Sequence, residues 1–305
     1  MQKVIIYGGS GFVGSYLVPA LEQQGYFVIV CDRYAPDFDF RGEFIEVDIM
    51  QPLIDQWAEE AKSYLSNPYT VINLAGKNIF GKFTPEHKQT IYDSRITGTR
   101  RVLQTFQEAR YKPRVYITAS AVGYYGNKGN NDITEQSAMG RNYLASVVAD
   151  WEGEARHAED LGIRLVIMRQ GHILGAGGII GVLKPYYAKG FGGPIGNGKF
   201  YFPWIHVEDV AGYYVQVLAQ ESMRGVYNLV TGEPITYRQF SKAFATALHR
   251  PHIARIPKFL LKVRFGEFAD EMTASQKIIP QRILTTDYQP IFQDINEAME
   301  YQVGR

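Results

Sequence analysis

The sequence has little of several features that mark particular classes of protein. It contains one cysteine, Cys31, which excludes an internal disulfide framework and leads us to expect a reducing, cytoplasmic compartment. No apolar run approaches the roughly 20 residues of a membrane span, and the first predicted strand begins at Lys3, so we expect neither a membrane span nor a signal peptide. The formal net charge of +1 gives no sign of a nucleic acid or membrane partner.

The signatures of several other chemistries are also missing. The chain has no Gly-x-Ser-x-Gly, which argues against a serine hydrolase. It has no Cys-x-x-Cys and no histidine–carboxylate spacing suited to a metal, so we expect no metal site. Its 305 residues, 46% of them hydrophobic, are enough for one large α/β domain, or for a large domain with a small one.

The strongest positive signal lies at the N-terminus. Residues 3–14 read KVIIYGGSGFVG, a short run of β-branched residues followed by glycines, and a helical pattern comes next. Gly8 permits a tight turn after the strand, Gly11 permits close approach to a pyrophosphate, and Gly14 permits close packing of the helix on the sheet. Although the spacing is G-x-x-G-x-x-G, this order of elements predicts a dinucleotide-binding turn. The alternative is a glycine-rich turn without a cofactor.

The second predicted strand, residues 27–31, ends in Asp32 and Arg33, and Asp32 lies 24 positions after Gly8. A carboxylate at this place would bind the adenosine ribose hydroxyls and repel a 2′-phosphate, which favours NAD(H). An arginine would pair with that phosphate or stack on the adenine, which favours NADP(H), and it could equally be a solvated loop charge. The residues therefore leave the cofactor open between NAD(H) and NADP(H).

Further strands are predicted at residues 44–48, 70–76 and 115–118, with helices between them. This β-α repetition predicts a doubly wound parallel sheet with right-handed crossovers, the Rossmann class of α/β fold. Ligands bind outside the carboxyl ends of such strands, where Asp48, the turn after the fourth strand and Ser120 all fall. We therefore expect a nucleotide site at this edge, with Asp48 beside the adenine.

Ser120, Tyr124 and Tyr125 follow the fifth strand, where a nicotinamide and a substrate would meet. In hydride transfer a serine hydroxyl can hold the reacting oxygen. A phenol can pass the proton if a nearby cation lowers its pKa, at about 1.4 kcal/mol per pKa unit. Tyr143 is the main candidate phenol and Tyr125 the second. A Tyr-x-x-x-Lys pair would supply the cation one helical turn away, but Val147 occupies that position. The other interpretation of Tyr143 is an aromatic that packs the cleft wall.

Two further polar residues have alternative interpretations. Arg169 at a strand end could clamp a phosphate or form an ion pair beneath the cleft, and the sequence does not choose between these. His206 could be an acid–base group, but we expect a structural role because it opens a predicted helix beside Asp209. Glycine-dense segments at 175–178 and 190–198 suit the mobile walls of a substrate cleft.

Motifs along the whole chain resemble those of one known group. They are the glycine motif at 8–14, INLAG at 72–76, DSR at 93–95, TASAVGYYG at 118–126, DWE at 150–152, RQGHILG at 169–175, GGPIGNGK at 192–199, WIHVED at 204–209, GEFADE at 266–271 and SQK at 275–277. With these motifs the chain resembles the epimerase family of atypical short-chain dehydrogenase/reductases.

This resemblance implies a dinucleotide-binding core with a small, mainly helical C-terminal substrate region, as in extended nucleotide-sugar epimerases. We place the core at residues 1–171 plus about 204–232, and the substrate region at about 172–203 and 233–305. Members commonly lack the Tyr–Lys pair and usually carry phenylalanine where this chain has Tyr143. They are expected to prefer NADP(H), with serine or threonine where this chain has Asp32.

Three functional hypotheses result, and the third of them is a scaffold that binds no nucleotide. The first is an NAD(P)-dependent epimerase or oxidoreductase acting on a nucleotide-sugar-like or other small polar carbonyl or hydroxyl substrate, with Ser120 and Tyr143, or alternatively Tyr125, as catalytic residues. The second is a cofactor-binding sensor or regulatory protein without a working Tyr–Lys pair. The substrate stays unidentified, and a homodimer is the candidate assembly. The candidate cofactor-binding residues are Gly8, Gly9, Ser10, Gly11, Phe12, Val13, Gly14, Asp32, Arg33, Asp48, Leu74, Ala75, Gly76, Arg95, Thr118, Ala119 and Gly171.

Overall fold

The computed structural model describes residues 2–57, 59–66 and 68–304 of the chain. Its strands are β1 Lys3–Tyr7, β2 Phe27–Asp32, β3 Glu43–Glu46, β4 Tyr69–Asn73, β5 Val115–Ala121, β6 Asp132–Ile133, β7 Arg164–Gln170, β8 His172–Leu174, β9 Trp204–His206, β10 Gly225–Leu229 and β11 Lys277–Ile278. Its helices are α1 Gly14–Gln23, α2 Glu59–Lys62, α3 Pro85–Glu108, α4 Tyr143–Asp160, α5 Gly178–Ala188, α6 Val207–Ala219, α7 Tyr237–Ala247, α8 Lys258–Phe265, α9 Phe268–Met272 and α10 Ile295–Val303. Short 3₁₀ turns lie at Ile54–Gln56, Ser63–Ser66, Val122–Tyr125 and Ile283–Thr285.

Seven strands form one parallel sheet in the order β10-β7-β5-β4-β1-β2-β3. The order reverses direction at β1, where Ile5 pairs with Ile29 of β2 on one side and with Val71 of β4 on the other. Two small parallel ladders, β6 with β11 and β8 with β9, lie outside this sheet. The predicted doubly wound parallel α/β fold is therefore confirmed, and the carboxyl ends of the seven strands meet at one edge.

The apolar run of β1 is explained by burial on both faces of the sheet. Val4 and Ile6 face one way and join the core made with α1 and α6, whereas Ile5 and Tyr7 face the other way and join the core made with α3 and α4. Because successive strand side chains point to opposite faces, a strand covered by helices on both sides has to be apolar throughout.

A third core cluster forms in the C-terminal part of the chain, where α5, α7 and α10 pack around Phe240 and Phe244. Helix α7 follows β10 in the chain, and a capping box between Thr236 and Gln239 fixes the start of this helix. His206 precedes α6, is fully buried, and accepts a hydrogen bond from the backbone N–H of Glu208 at 3.3 Å. This contact fits the expected structural role. No helix in the described parts of the chain has the length and apolarity to cross a membrane.

The segment between β3 and β4 differs from the prediction. The sequence predicts one helix near residues 54–65, a range that includes residue 58, which lies outside the described residues. The structure has two 3₁₀ turns there with the short α2 between them. Gln56 explains part of the difference, because its side-chain amide donates to the carbonyls of Asp48 and Pro52 at 3.0 Å. The Pro52 carbonyl is the acceptor that the backbone N–H of Gln56 would use in an α-helix, and this N–H instead donates to the Leu53 carbonyl.

The end of the third strand also differs from the prediction. Strand β3 ends at Glu46, and Asp48 lies two residues beyond it in a turn where its carboxylate accepts a hydrogen bond from Met50 N at 2.9 Å. Helix α3 is unbroken from Pro85 to Glu108. Thr84 caps its start by accepting a hydrogen bond from His87 N at 3.2 Å.

Asp209 fastens the C-terminal segment to the first turn of α6. Its carboxylate is fully buried and accepts three hydrogen bonds, from Tyr288 Oη at 2.9 Å, from Ile291 N at 2.6 Å and from Phe292 N at 3.0 Å. Since a buried carboxylate is tolerated only when such donors surround it, the chain before α10 depends on this residue for its position.

We expect Asp209→Asn to lower the free energy of unfolding by about 2–4 kcal/mol, because an amide presents an N–H₂ group where the carboxylate accepts hydrogen bonds from backbone donors. Urea denaturation monitored by circular dichroism would measure the change. The control is Glu221→Gln, which removes an exposed ion pair with Arg114 and should cost less than about 1 kcal/mol. Equal losses in the two variants would contradict this account of Asp209.

Candidate functional site

The glycine turn after β1 is shaped by two contacts that exclude a Cβ atom. Gly8 has a φ of +79°, and a Cβ there would lie 2.7 Å from the backbone nitrogen of Ala75. A Cβ on Gly14 would lie 1.9 Å from the carbonyl oxygen of Gly9. A Cβ on Gly11, in contrast, would meet nothing closer than the carbonyl oxygen of Gly8 at 3.4 Å. The first and last glycines of the motif are therefore required by packing, and the middle one leaves its surface clear.

The start of α1 offers backbone donors at the same place. Within the described residues, the N–H groups of Phe12 and Val13 have no backbone acceptor, and the first turn of α1 follows them directly. Unpaired N–H groups at a helix N-terminus, together with the positive end of the helix dipole, form an anion-binding site. The turn therefore fits a pyrophosphate, which the clear surface at Gly11 would allow to approach.

Asp32 at the end of β2 is held against this turn. Its Oδ2 accepts a hydrogen bond from Ser10 N at 3.1 Å, and its Oδ1 accepts one from Arg33 N at 2.8 Å. The Ser10 hydroxyl donates to the carbonyl of Tyr34 at 2.7 Å. Arg33 itself is exposed, and its guanidinium lies 5.7 Å from the ring centroid of Tyr34. The carboxylate is thus fixed at the turn, whereas the arginine lies in the solvent-exposed loop.

The end of β4 completes this edge of the sheet. Leu74 N donates to the carbonyl of Tyr7 at 2.8 Å, and Ala75 N donates to the Asn73 side chain at 3.1 Å. The exposed Gly76 follows, and a Cβ on it would lie 3.5 Å from the guanidinium carbon of Arg95. The structure therefore brings Leu74, Ala75, Gly76 and Arg95 together beside the glycine turn.

Phe12 links the glycine turn to a second glycine-rich segment. A Cβ on Gly175 would lie 2.6 Å from the Phe12 ring, and a Cβ on Gly177 would lie 2.7 Å from it. The ring also contacts Tyr16 edge-on, with centroids 5.9 Å apart. The small residues of the 175–178 segment are therefore needed for contact with Phe12. The spacing of these glycines in the sequence does not predict this contact.

A buried polar network lies at the end of β5. Ser120 Oγ donates to Glu152 Oε1 at 2.6 Å, and Arg169 donates to both oxygens of Glu152 at 2.7 Å. The Arg169 guanidinium also lies 3.5 Å from the ring centroid of Tyr124 and donates to Tyr125 Oη at 2.8 Å. Of the two interpretations of Arg169, the geometry matches the ion pair beneath the cleft. Glu152 is not among the residues predicted for the site, although an acid on the apolar face of a predicted helix is a recognisable signal.

Tyr125 takes a structural position in this network. It is fully buried, it donates to Asn228 Oδ1 at 2.7 Å, and it accepts the hydrogen bond from Arg169. Burial raises the pKa of Tyr125 to about 12. The geometry therefore disagrees with the prediction that Tyr125 passes a proton to a substrate, because its hydroxyl is already engaged on both sides. Tyr143 stays the candidate phenol.

Tyr143 is the first residue of α4 and is half-buried. Its hydroxyl donates to the backbone carbonyl of Lys88 at 2.6 Å, and its ring contacts Phe83 edge-on with centroids 5.6 Å apart. Burial raises its pKa and Arg95 acts in the opposite direction, so that the net shift is upward. Tyr143 is therefore a protonated phenol, suited to donate a proton rather than to accept one.

Four more of the predicted residues lie in β5 or follow β7 and β3. Thr118 and Ala119 are buried within β5, and the Thr118 hydroxyl donates to the Ala119 carbonyl at 3.1 Å. Gly171 follows β7, and a Cβ there would lie 2.8 Å from the carbonyl oxygen of Pro203. Asp48 lies in the turn beyond β3, so it is farther from the strand end than the sequence predicts.

Comparison with known proteins adds to this geometry. The chain matches the family described as the NAD dependent epimerase/dehydratase family over residues 4–229, and a domain of unknown function (DUF1731) over residues 256–301. It is 34% identical to the epimerase family protein YfhF of Bacillus subtilis, over 99% of this chain and 98% of that protein. It is 31% identical to the chloroplastic epimerase family protein SDR39U1 homolog of Arabidopsis thaliana, over 98% and 86% of the two chains.

Solved structures give the same result. Human epimerase family protein SDR39U1 (isoform 2), solved with NADPH, is similar to this chain at a TM-score of 0.86 and 28% identity, with 99% of both chains covered. Thermus thermophilus UDP-glucose 4-epimerase, solved with NAD, gives a TM-score of 0.78 at 21% identity over 99% and 98% of the chains, which shows the shared fold alone. The resemblance read from the motifs and the NAD(P) class of cofactor are confirmed. The matches span both halves of the chain and agree with a turn that fits a pyrophosphate, and the protein belongs to the NAD dependent epimerase/dehydratase family.

Proposed function

We propose that this protein is an NAD(P)-dependent oxidoreductase or epimerase that acts on a hydroxyl or carbonyl group of a nucleotide-sugar-like substrate. The observation that carries the proposal is the glycine turn, where unpaired N–H groups, the clear surface at Gly11 and the fixed carboxylate of Asp32 lie together. These residues would hold the pyrophosphate and the adenosine ribose. When bound, the dinucleotide supplies the hydride acceptor or donor.

Tyr143 and Ser120 are the residues that we assign to the reacting oxygen. The pKa of Tyr143 is raised by burial, so its phenol is protonated at neutral pH and can donate to a substrate carbonyl if it releases the Lys88 carbonyl. Ser120 donates its own proton to Glu152, which leaves its lone pairs to accept a hydrogen bond from a substrate hydroxyl. Glu152 and Arg169 act through Ser120 and are positioning residues.

The charge of two segments of the substrate region supports a phosphate-bearing substrate, whereas the rest of that region, residues 267–305, contains acidic residues. Residues 172–203 and 234–266 contain no aspartate or glutamate, although the whole chain has nearly balanced charge. The same residues contain Lys184, Lys189, Lys199, Arg238, Lys242, Arg250, Arg255, Lys258, Lys262 and Arg264. A one-sided positive region raises the local concentration of an anionic ligand, which suits a nucleoside diphosphate sugar better than a neutral carbonyl compound.

A cofactor-binding regulatory protein is the second candidate function. It is favoured by the contact of the Tyr143 hydroxyl with a backbone carbonyl and by the valine at position 147, which is 1% exposed and carries no charge. Both candidates require the dinucleotide, so they separate only at the chemical step. The cytoplasmic compartment and the homodimer stay predictions of the sequence.

We expect the wild-type protein to bind NADH more tightly than NADPH, because the Asp32 carboxylate would repel a 2′-phosphate. Asp32→Ser should improve the affinity for NADPH relative to NADH by about tenfold, equivalent to about 1.4 kcal/mol. Isothermal titration calorimetry with both dinucleotides measures this ratio. Asp37→Ser is the matched control, because it removes the same charge from the exposed loop that follows. An equal change in both variants would mean that net charge, and not contact with Asp32, sets the preference.

We expect Tyr143→Phe and Ser120→Ala to keep the affinity for the dinucleotide but to lower turnover by about 10²–10³-fold, the usual worth of a general acid or of a hydrogen bond to the reacting oxygen. The assay follows the absorbance of the reduced nicotinamide with UDP-glucose, UDP-galactose and dTDP-glucose as probes. Tyr111→Phe is the matched control, because Tyr111 is exposed and lies before β5, at the opposite, amino edge of the sheet. Tight dinucleotide binding with no change in absorbance for any probe would favour the regulatory function.

A further inference from the structure

Arg95 of α3 reaches the carboxyl edge of the sheet beside the proposed site. Its Nη1 donates to the carbonyls of Lys77 at 3.0 Å and Ile91 at 3.3 Å, and its guanidinium lies 5.2 Å from the ring centroid of Trp151. A Cβ on Gly76 would lie 3.5 Å from the Arg95 guanidinium, so the cation rests against the exposed backbone that follows β4. This backbone is adjacent to Ala75, which contacts the glycine turn.

The charge of Arg95 is not balanced by a carboxylate. None of the ion pairs found among the described residues includes it, and those residues offer no acceptor to its Nε and Nη2 donors. Desolvation lowers the pKa of the guanidinium to about 10. Arg95 is half-buried, and its Nε and Nη2 are not among the buried polar atoms that lack a partner in the described residues, so these two donors reach the surface and are open to an anionic ligand.

Helix α4 has no charge at the position where one would act on Tyr143. Tyr143, Val147 and Trp151 follow one another at intervals of four and therefore share a face of the helix. Val147 is buried in an apolar cluster that also includes Trp151 and Ile91. Arg95 lies over Trp151, one turn beyond Val147, so the neighbouring helix brings a cation to this face of α4.

The charges around Tyr143 come mainly from α3. Burial raises the pKa of the phenol most strongly, Arg95 lowers it, and Asp93 and Tyr92 raise it further. Arg95 is therefore the group that opposes burial and favours the ionised phenol, which is the task of the lysine in a Tyr-x-x-x-Lys pair.

Lys88 is the other cation close to Tyr143, and it is less suited to this task. Its Nζ lies 5.1 Å from the ring centroid of Tyr143, but it pairs with Glu267 Oε2 at 2.5 Å. The carboxylate therefore offsets the charge of Lys88, and the pKa of Tyr143 is lowered by Arg95. Arg95 has no such partner.

We propose that Arg95 is the cation of this site and that it replaces, from α3, the lysine that α4 lacks. Its unused Nε and Nη2 bind an oxygen of the dinucleotide, and its charge stabilises the ionised form of Tyr143 when the phenol gives up its proton. The inference rests on the proposed function, since it assigns a role within the same site. If Arg95 instead had only a structural role, through its contact with the Lys77 carbonyl, its replacement would lower the stability of the protein and leave dinucleotide binding unchanged.

Calorimetric titration of the full chain with NADH and NADPH tests the binding role. We expect Arg95→Gln to weaken binding of the preferred dinucleotide by at least about tenfold, the worth of one charge-assisted hydrogen bond, and Arg95→Lys to stay within about threefold of wild type. Adding Val147→Lys to Arg95→Gln should recover most of the loss, because it returns a cation to the same face. Arg100→Gln is the matched control, since Arg100 lies on the same helix, is exposed and pairs with Glu154 at 2.8 Å.

Two readouts separate this role from a structural one. Arg95→Gln should lower the urea midpoint no more than Arg100→Gln does, because the loss of two hydrogen bonds to backbone carbonyls is offset by the removal of an unbalanced charge. In protein labelled with carbon-13 at tyrosine Cζ, the Tyr143 resonance is identified by its absence in Tyr143→Phe. Its titration should begin at a higher pH in Arg95→Gln and return towards wild type in Arg95→Lys.

The possible results are distinguishable. If wild type binds neither dinucleotide, the proposed function fails. If wild type binds but Arg95→Gln binds equally well and titrates alike, the inference about Arg95 is overturned while the proposed function stands. If Arg95→Gln has a lower urea midpoint than the Arg100→Gln control, and if neither Arg95→Lys nor the addition of Val147→Lys restores dinucleotide binding, Arg95 has a structural role. If the double variant does not fold, the affinity of Arg95→Lys for the dinucleotide tests the proposal, because a variant that keeps the positive charge should keep the binding.

Discussion

Backbone contacts that leave no room for a Cβ atom hold the carboxyl edge of the sheet together. Gly8 lies against Ala75, and Gly14 lies against Gly9, so the turn after β1 is pressed between the end of β4 and the start of α1. Asp32 then joins β2 to the same turn through Ser10 N. Three strand ends and one helix N-terminus therefore form a single polar surface, and that surface exists only because glycine stands at these positions.

The same edge contains two arginines in opposite electrostatic situations. Arg169 is paired with Glu152 through two oxygens, so its charge is cancelled within the protein and the pair orients Ser120. Arg95 has no such carboxylate among the described residues, and its field reaches Tyr143. In a medium of low polarity a compensated pair affects mainly geometry, whereas a single charge affects the protonation of its neighbours. Arg169 therefore has a structural role, whereas the charge of Arg95 can act on a ligand or on Tyr143.

The sequence predicts the fold well where buried residues recur at the spacing of a helix or a strand. It predicts the site less well where the role of a residue depends on one distant side chain. Helix α6 begins directly after His206 as predicted, because its cap and its apolar stripe are both local signals. Tyr124 and Tyr125 are adjacent and chemically alike, yet Tyr125 is engaged by Asn228 in the buried network. No local pattern distinguishes them, because the partner is about a hundred positions away in the chain.

Other features of the site are set by contacts between distant segments. The spacing of the glycine motif predicts a turn, but the contact of Phe12 with Gly175 and Gly177 joins segments more than 160 positions apart. Glu152 shows the opposite case, in which a signal was present in the sequence. A charged residue in the buried stripe of α4 implies a buried partner, although only the folded sheet reveals that the partner is Arg169.

Placing the cation on α3 rather than α4 makes the site depend on how these helices pack. Trp151 Nε1 donates to Thr99 Oγ1 of α3 at 2.9 Å, and Asn73 Nδ2 of β4 approaches the same hydroxyl at 3.4 Å. The ring under Arg95 is therefore tied to α3 and to the strand that ends at the site. In a Tyr-x-x-x-Lys pair one helix fixes the distance between phenol and cation, whereas here it is fixed by the packing of two helices. A ligand that draws the phenol of Tyr143 away from the Lys88 carbonyl of α3 would therefore also change the distance between the phenol and Arg95. Its ionisation would change with that distance.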